Sequence, residues 1–505
     1  MGESRTKNAS RNIIFGFANR FVVLCLPFVT RTIILYLLGS EYLGIGTLFS
    51  SVLSFLNLAE LGLGSAIVYS MYKPIAENDV VKIGALLNFY KKLYRLIGIV
   101  ILVVGSMLVL FIPYLMKGGA PQNLNPYLLY YLYLINSVIS YFFAGYKQSL
   151  LTSHQRSDII SNISTLISIF IQIGQIVLLC ITRSLYTYAI VPICGTIFTN
   201  IFIAIITKRK YPNIKCEGDI SSEIKNEIKT KIGGLFGTKL NSIVVHSADT
   251  LIISAFLGLS MTAKYGNYYY IMNAICGFIM VFYSSMTAGI GNKLVVDSIE
   301  ENYKFFKNMN FINAWLVGWC SICLLCLYEP FMELWVGDSM KLGIVFVILM
   351  VGYFYIYMIQ RNILTFKDAA GLWNKDWMRP YISMTLNVVS NLVLVRIIGI
   401  YGIVVSTIIA FLISVPWVNS VLFRNLFKMS PAKNLFAIFK YFIFTVAIAC
   451  VTYLICGLCM EGFVGLIQRV IICCVVPNIF FVLFFFKTAE FAYLKNFILK
   501  KVLKH

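Results

Sequence analysis

Charge is scarce in this sequence. Only 12% of its 505 residues are charged, and acids are the rarer kind, 21 against 42 lysines and arginines. The net charge of +21 would suit a nucleic-acid binder if it were gathered on one surface, but the basic residues fall between long apolar runs. That is the pattern of cytoplasmic loops, whose Lys and Arg orient a membrane protein, and no nucleic-acid partner is expected. Histidine is rarer still. His154, His246 and His505 stand too far apart in sequence to suggest a metal site or an acid–base pair. No G-x-x-x-x-G-K loop is present to cradle a nucleotide. The chain is therefore read as a non-enzyme with no catalytic residues, no metal and no cofactor, driven by something other than its own ATP hydrolysis.

What it has is apolar length. Hydrophobic residues make up 59% of the chain and the mean hydropathy is +0.82. The runs are continuous instead of alternating, which excludes a β-barrel and predicts an all-α polytopic membrane protein. We expect about fourteen spans, near 12–38, 43–71, 94–115, 127–150, 158–181, 185–206, 232–258, 263–290, 309–328, 342–364, 380–398, 401–423, 437–459 and 463–486. Odd-numbered junctions are poor in Lys and Arg, and even-numbered ones are basic. Both termini are therefore expected in the cytoplasm. The polar, basic start MGESRTKNASR shows no removable signal peptide. Thirteen cysteines are scattered mostly through apolar segments. Cys320-x-x-Cys323 and Cys456-x-x-Cys459 have redox or zinc spacing but lack His, acid or base neighbours, and a thiolate there would be badly desolvated. They are read as small packing residues.

The 207–231 stretch is the longest clearly polar segment, and the sequence repeats weakly across it. Leu37-Leu38-Gly39 matches Phe256-Leu257-Gly258, Gly62-Leu63-Gly64 matches Gly289-Ile290-Gly291, and Lys147 with Leu150-Leu151-Thr152 matches Arg361 with Ile363-Leu364-Thr365. A six-helix unit thus occurs twice. Because six is even, the two are parallel repeats, an arrangement that transporters use. The expected domains are an N-terminal six-helix lobe (1–207), a cytoplasmic linker (208–231), a C-terminal six-helix lobe (232–430), and two extra helices with a basic tail (431–505).

On these features the chain resembles the polysaccharide flippases, of the Wzx type that serve O-antigen and capsule, within the multidrug/oligosaccharidyl-lipid/polysaccharide exporter superfamily. The residues that carry the resemblance are the Leu-Leu-Gly39 end of the first span, Ala59-Glu60-Leu61-Gly62-Leu63-Gly64, and His246-Ser247-Ala248-Asp249-Thr250-Leu251 running to Phe256-Leu257-Gly258. The resemblance implies a V-shaped pair of lobes in the bacterial inner membrane. It also implies alternating-access transfer of an undecaprenyl-pyrophosphate-linked oligosaccharide, with membrane lipids and the glycan polymerase machinery as further partners. Two alternatives stay open: a cation-coupled multidrug exporter of the same fold, and a membrane polymerase or ligase of the glycan pathway, which would usually carry a larger outer loop.

Ionisable residues inside spans are functional candidates by default. Arg20 and Glu60 each lie about 19 residues from the first hairpin turn, roughly 28 Å down at 1.5 Å per residue. They can form an ion pair or serve the substrate path. Arg31 shares a face with Arg20 to within about 20° and has no acid at matching depth. It is either a cavity cation or snorkels to the interface. Lys239 takes the repeat position of Arg20, with no acid on its hairpin partner. His246 and Asp249 follow on the same span, and Asp249 is either a coupling site or a packing residue. A pyrophosphate head would need cations of this kind, so Arg31, Lys239 and Arg20 are the substrate-binding candidates. Glu60, Asp249 and His246 are the ion-pair or coupling candidates. The tyrosines of 265–270 and 353–357 can stack on sugars or merely sit at the interface.

Overall fold

The structure, a computed structural model, describes residues 26–60 and 62–502. Among these residues there are helices and turns and no strands. This follows from the apolar sequence, since a chain in lipid must satisfy its backbone internally and helices do so segment by segment. Eleven described helices are long and apolar enough to cross a membrane, twelve if one bent pair is a single span. The helix Leu26–Leu37 (α1) and the segment that follows it occupy the places of the first two expected spans. The count agrees with about fourteen.

Contacts group the chain into two compact units, Met1–Gly266 and Asn267–His505. The first begins with α1, Ser40–Leu56 (α2) and Leu63–Ala76 (α3). It continues with Val80–Leu108 (α4), Pro126–Phe142 (α5) and Gln148–Ser153 (α6). Ser157–Thr182 (α7), Leu185–Lys210 (α8) and Ser222–Leu257 (α9) complete it, together with the start of Leu259–Val296 (α10). Starts are set by local chemistry. Asp79 accepts from the Lys82 amide at α4, and Asn125 accepts from Tyr127 and Leu128 ahead of Pro126 at α5, which satisfies otherwise orphaned donors.

The second expected span departs from a simple helix. It stops at a 3-10 turn, Asn57–Glu60, and resumes after Gly62, whose φ of 80° is left-handed and inexpensive only for glycine. The matching glycines Gly289 and Gly291 lie inside the unbroken α10. The repeat is therefore inexact at this point, and the break puts Glu60 at a helix end. The fourth expected span is also bent, by 53° between α5 and Gly145–Ser153.

The repeat is plainest at two turns. Gly39 (φ 105°, ψ 173°) precedes α2, and Gly258 (φ 92°, ψ 173°) precedes α10, so equivalent Leu-Gly motifs fold alike. Near these turns α2 and α10 touch backbone to backbone. A Cβ built on Gly44 would stand 2.0 Å from the Leu259 carbonyl oxygen, a separation only glycine allows.

The second unit holds the rest of α10, then Ile299–Val336 (α11), Ile344–Ile359 (α12) and Arg361–Ala369 (α13). Met378–Ile398 (α14), Ile400–Leu422 (α15), Ala432–Cys456 (α16), Gly462–Phe485 (α17) and Ala489–Val502 (α18) follow. The α11 start carries a complete capping box, Ser298 and Glu301. Buried amides join α14 to α15, with Asn387 Nδ2 donating to Thr407 Oγ1 at 3.0 Å, the kind of polar glue that helix pairs use where apolar burial gives no drive to associate. The two extra helices, α16 and α17, pack on α11.

Candidate functional site

The break in the second span builds a site in the first unit. Glu60 lines a cavity of about 510 Å³ together with Tyr69, Tyr72, Tyr90, Tyr94 and Gln148. Tyr141, near the end of α5, donates its hydroxyl to Glu60 Oε2 at 2.7 Å. Tyr141, Tyr94 and Tyr90 form a run of rings with centroids 4.5 and 5.2 Å apart. Lys239 of α9 is exposed and its charge acts on Glu60. The cavity thus offers a carboxylate, phenol hydroxyls, an amide and a nearby ammonium group, surfaces that can hold a polar or charged head. Gln148 also reaches Asn200 at 3.5 Å, and Asn200 reaches Ser140 at 3.3 Å, which fixes the amides behind it.

The other sequence candidates fall as follows. Arg20 lies outside the described residues, so its pairing with Glu60 does too. Arg31 is half-buried on α1. Its charge acts on Tyr133 and Tyr188, and its Nη2 would lie 3.1 Å from a Cβ on Gly266. The sequence offered Lys239 no acid on its own hairpin. Glu60 comes within its electrostatic reach instead, through the packing of α3 beside α9. Asp249 is 1% exposed and accepts from the Tyr265 hydroxyl at 3.1 Å. His246 is half-buried one turn earlier. Asp249 and His246 share a helix with Lys239, but the Glu60 cavity is lined by neither.

The tyrosine clusters divide. Tyr265, Tyr268, Tyr353 and Tyr355 are buried, with little ring face to offer a sugar, while Tyr269, Tyr270 and Tyr357 are half-buried. Tyr268 instead donates to Glu329 at 2.7 Å and lies 5.2 Å from the ring of Tyr328. Of the tyrosines that line the cavity, Tyr69 and Tyr72 are exposed and Tyr90 and Tyr94 are buried; the last two stand among Lys91, Lys92 and Arg95, at or before the start expected for the third span.

Short turns carry ion pairs as well. Arg156 grips Asp158 with two bonds, at 3.0 and 3.2 Å. In the second unit Asp376 is buried and receives Lys367 Nζ at 2.8 Å and Arg379 Nε and Nη2 at 2.8 and 2.7 Å. Burial pushes the Asp376 carboxyl up, but Arg379 and Lys367 outweigh it and hold the group below the usual carboxylate range. Arg379 also donates to Ser414 at 2.9 Å. Arg361 lies over the Tyr357 ring, 4.7 Å from its centroid, a cation–π contact.

No known family's sequence profile matches this chain, and no curated protein sequence does. Solved structures do match. A lipid II flippase, MurJ, in an inward closed conformation superimposes with a TM-score of 0.67 at 17% identity, covering 94% of this chain and 99% of its own. An inward-facing multidrug-resistance transporter of the MATE family in the MOP superfamily gives 0.58 at 15% identity, covering 81% and 97%. A MOP-superfamily transporter from Pyrococcus furiosus gives 0.51 at 14% identity, covering 84% and 97%. The chain is a multi-pass membrane protein with the fold that these transporters and flippases share.

Proposed function

We propose that the chain is a flippase for a lipid-linked oligosaccharide, an undecaprenyl-pyrophosphate-linked repeat unit of the O-antigen, capsule or exopolysaccharide type. The observation that carries the proposal is the nearly end-to-end likeness to a lipid II flippase. The proposed lobes are 1–207 and 232–430 joined by the linker 208–231, with 431–505 appended. The proposal puts both termini in the cytoplasm and the whole chain in the inner membrane of a bacterium. The lobes would rock to alternate access, and the glycan polymerase machinery would take the product.

On this reading Lys239 and Arg31 supply cations to the pyrophosphate, with Arg20 as the third. Arg would add a bidentate fork to the point charge of Lys. The Glu60 cavity would take polar groups of the head, its exposed tyrosines Tyr69 and Tyr72 offering flat faces to the sugars.

One observation favours a second reading. Glu60 is a carboxylate on a cavity, and Asp249, within the apolar stretch Lys239–Leu257, is a second carboxylate, fully buried. A cation-coupled exporter would need such groups to carry the coupling ion or hold a cationic drug. Reconstitution into liposomes decides between them. The flippase reading expects labelled lipid-pyrophosphate oligosaccharide to change leaflet and Lys239→Ala to stop it. Transport of an organic cation driven by a proton or sodium gradient, with no lipid transfer, would establish the exporter instead.

A further inference from the structure

Eight of the thirteen cysteines lie on or beside three helices of the second unit, and all but the exposed Cys450 of α16 gather near one another in sequence or space. Cys320, Cys323 and Cys326 lie along one side of α11, Cys456 and Cys459 at the end of α16, and Cys473 and Cys474 in α17. At their centre the sulfurs of Cys326, Cys456 and Cys473 all lie within 4.8 Å of one another. These three are 4%, 3% and 0% exposed and belong to an apolar cluster with Ile322, Ile448 and Phe481. They come one from each helix, so the C-x-x-C pairs of the sequence (Cys320 with Cys323, Cys323 with Cys326 and Cys456 with Cys459) do not define the set. Each pair contributes at most one member.

We propose that Cys326, Cys456 and Cys473 form a three-sulfur site for a soft monovalent metal ion, copper in the +1 state. The spacing suits a trigonal centre, because three sulfurs about 2.3 Å from one metal stand roughly 4 Å apart. Thiol and thiolate donors with no nitrogen or oxygen partner select soft ions. Charge then decides which soft ion. The surroundings are apolar, and every uncompensated thiolate there is costly. A monovalent ion needs one thiolate and two neutral thiols to give a neutral centre. A divalent ion needs two thiolates. On binding, one cysteine gives its proton to solvent as its sulfur–metal bond forms. No oxidation state changes and no sulfur–sulfur bond is made.

The backbone around the trio is held. Trp319 Nε1 donates to the Cys473 carbonyl at 2.8 Å, and Arg469 Nε donates to the Cys456 carbonyl at 3.2 Å. Cys323 Sγ stands 4.0 Å from the Cys473 carbonyl oxygen. It and Cys459 are only half-buried. These outlying thiols offer an ion stepwise exchange from partly exposed sulfur to the closed centre.

The test titrates the purified full chain anaerobically with Cu(I) against a chromophoric Cu(I) chelator. The expected result is one ion retained per chain, with X-ray absorption showing a shell of three sulfurs. Cys473→Ala and Cys326→Ala should each lose the retained ion, while Cys180→Ala and Cys194→Ala, at exposed positions of the first unit, should keep it. Size-exclusion profiles identify any variant that has merely failed to fold, and Cys456→Ser then stands in for it. Failure of the native chain to hold Cu(I), or undiminished retention by well-folded Cys473→Ala, overturns the proposal. So does an intact mass two hydrogens light, which would mean an oxidised pair. Preferential retention of Zn(II) over Cu(I) would overturn the ion assignment.

Discussion

Ser40 and Ser260 meet hydroxyl to hydroxyl, Oγ to Oγ at 3.1 Å, each one or two residues past the glycine that turns its hairpin. Residues 220 positions apart touch beside the two turns of the duplicated motif, Ser40 one residue past Gly39 and Ser260 two past Gly258. The duplication is thus visible as a physical contact as well as a pattern of letters. Its glycines share a conformation, and its two helix starts pack closely enough to exclude a side chain at Gly44.

That close approach gives the first prediction. Gly44→Ala forces a methyl group into the Leu259 carbonyl. Overpacking of this kind costs about 1–3 kcal/mol. Gly289→Ala on α10, where an added Cβ meets nothing within 4 Å, should instead be neutral or gain up to about 1 kcal/mol from helix propensity. Thermal unfolding of the two variants in detergent compares them directly. Equal midpoints would mean that the α2–α10 contact does not form.

Tyr141→Phe removes the hydroxyl that Glu60 accepts and leaves the ring run in place. A hydrogen bond to a charged group contributes about 1.5–3 kcal/mol, so the variant should unfold earlier by that measure. Adding Glu60→Gln to Tyr141→Phe should bring little further loss if the bond is the main interaction. A double-mutant cycle reads the coupling, and a coupling near zero would show that the two groups act independently.

Asp376 sets an acid limit. Its carboxyl is held below the usual range in the folded protein, so the native state binds fewer protons there than the unfolded chain. The stability this contributes is fully present above the unfolded value of about 3.9 and is lost as pH falls through the folded value. Unfolding midpoints should therefore drop more steeply below about pH 4 in the native chain than in Asp376→Asn. At neutral pH, Arg379→Ala should cost about 3–5 kcal/mol by leaving a buried carboxylate short of its main partner.

Orientation is open to labelling. Single cysteines at Lys117, Gly218 and Ser339, in a background whose exposed native cysteines are replaced, report sidedness through a membrane-impermeant maleimide in intact cells. Positions 117 and 339 are expected to react and position 218 to stay protected until the membrane is opened. Reaction at 218 from outside would undo the cytoplasmic linker and the two-lobe division built on it.

Lys239→Ala tests the head-group role. Removing this exposed cation should leave protein yield unchanged and stop lipid transfer, with Lys239→Arg retaining part of it, since charge is kept and only geometry changes. Full transfer by the alanine variant would move the pyrophosphate contact elsewhere in the fold.

Hydropathy by itself determined that this chain is a bundle of membrane helices, and about how many. Lipid offers no hydrogen bonds, so a run of some 20 apolar residues has few conformations open to it. The Leu-Gly turns and their duplication were legible for a similar reason, because a backbone with positive φ calls for glycine. Only the tertiary structure decided which groups meet. Glu60 takes its hydrogen bond from Tyr141, 81 positions away, because the second span breaks at Gly62 while its repeat counterpart at Gly289 stays helical. Lys367, Asp376 and Arg379 read as loop charges until the turn between α13 and α14 folds them out of water. Cys326, Cys456 and Cys473 look like packing residues until three helices rotate them toward one point. The letters along each span fix that it crosses the membrane. The rotation and pairing of the spans depend on side-chain packing between segments distant in sequence, and those contacts place the acid, the cations and the sulfurs.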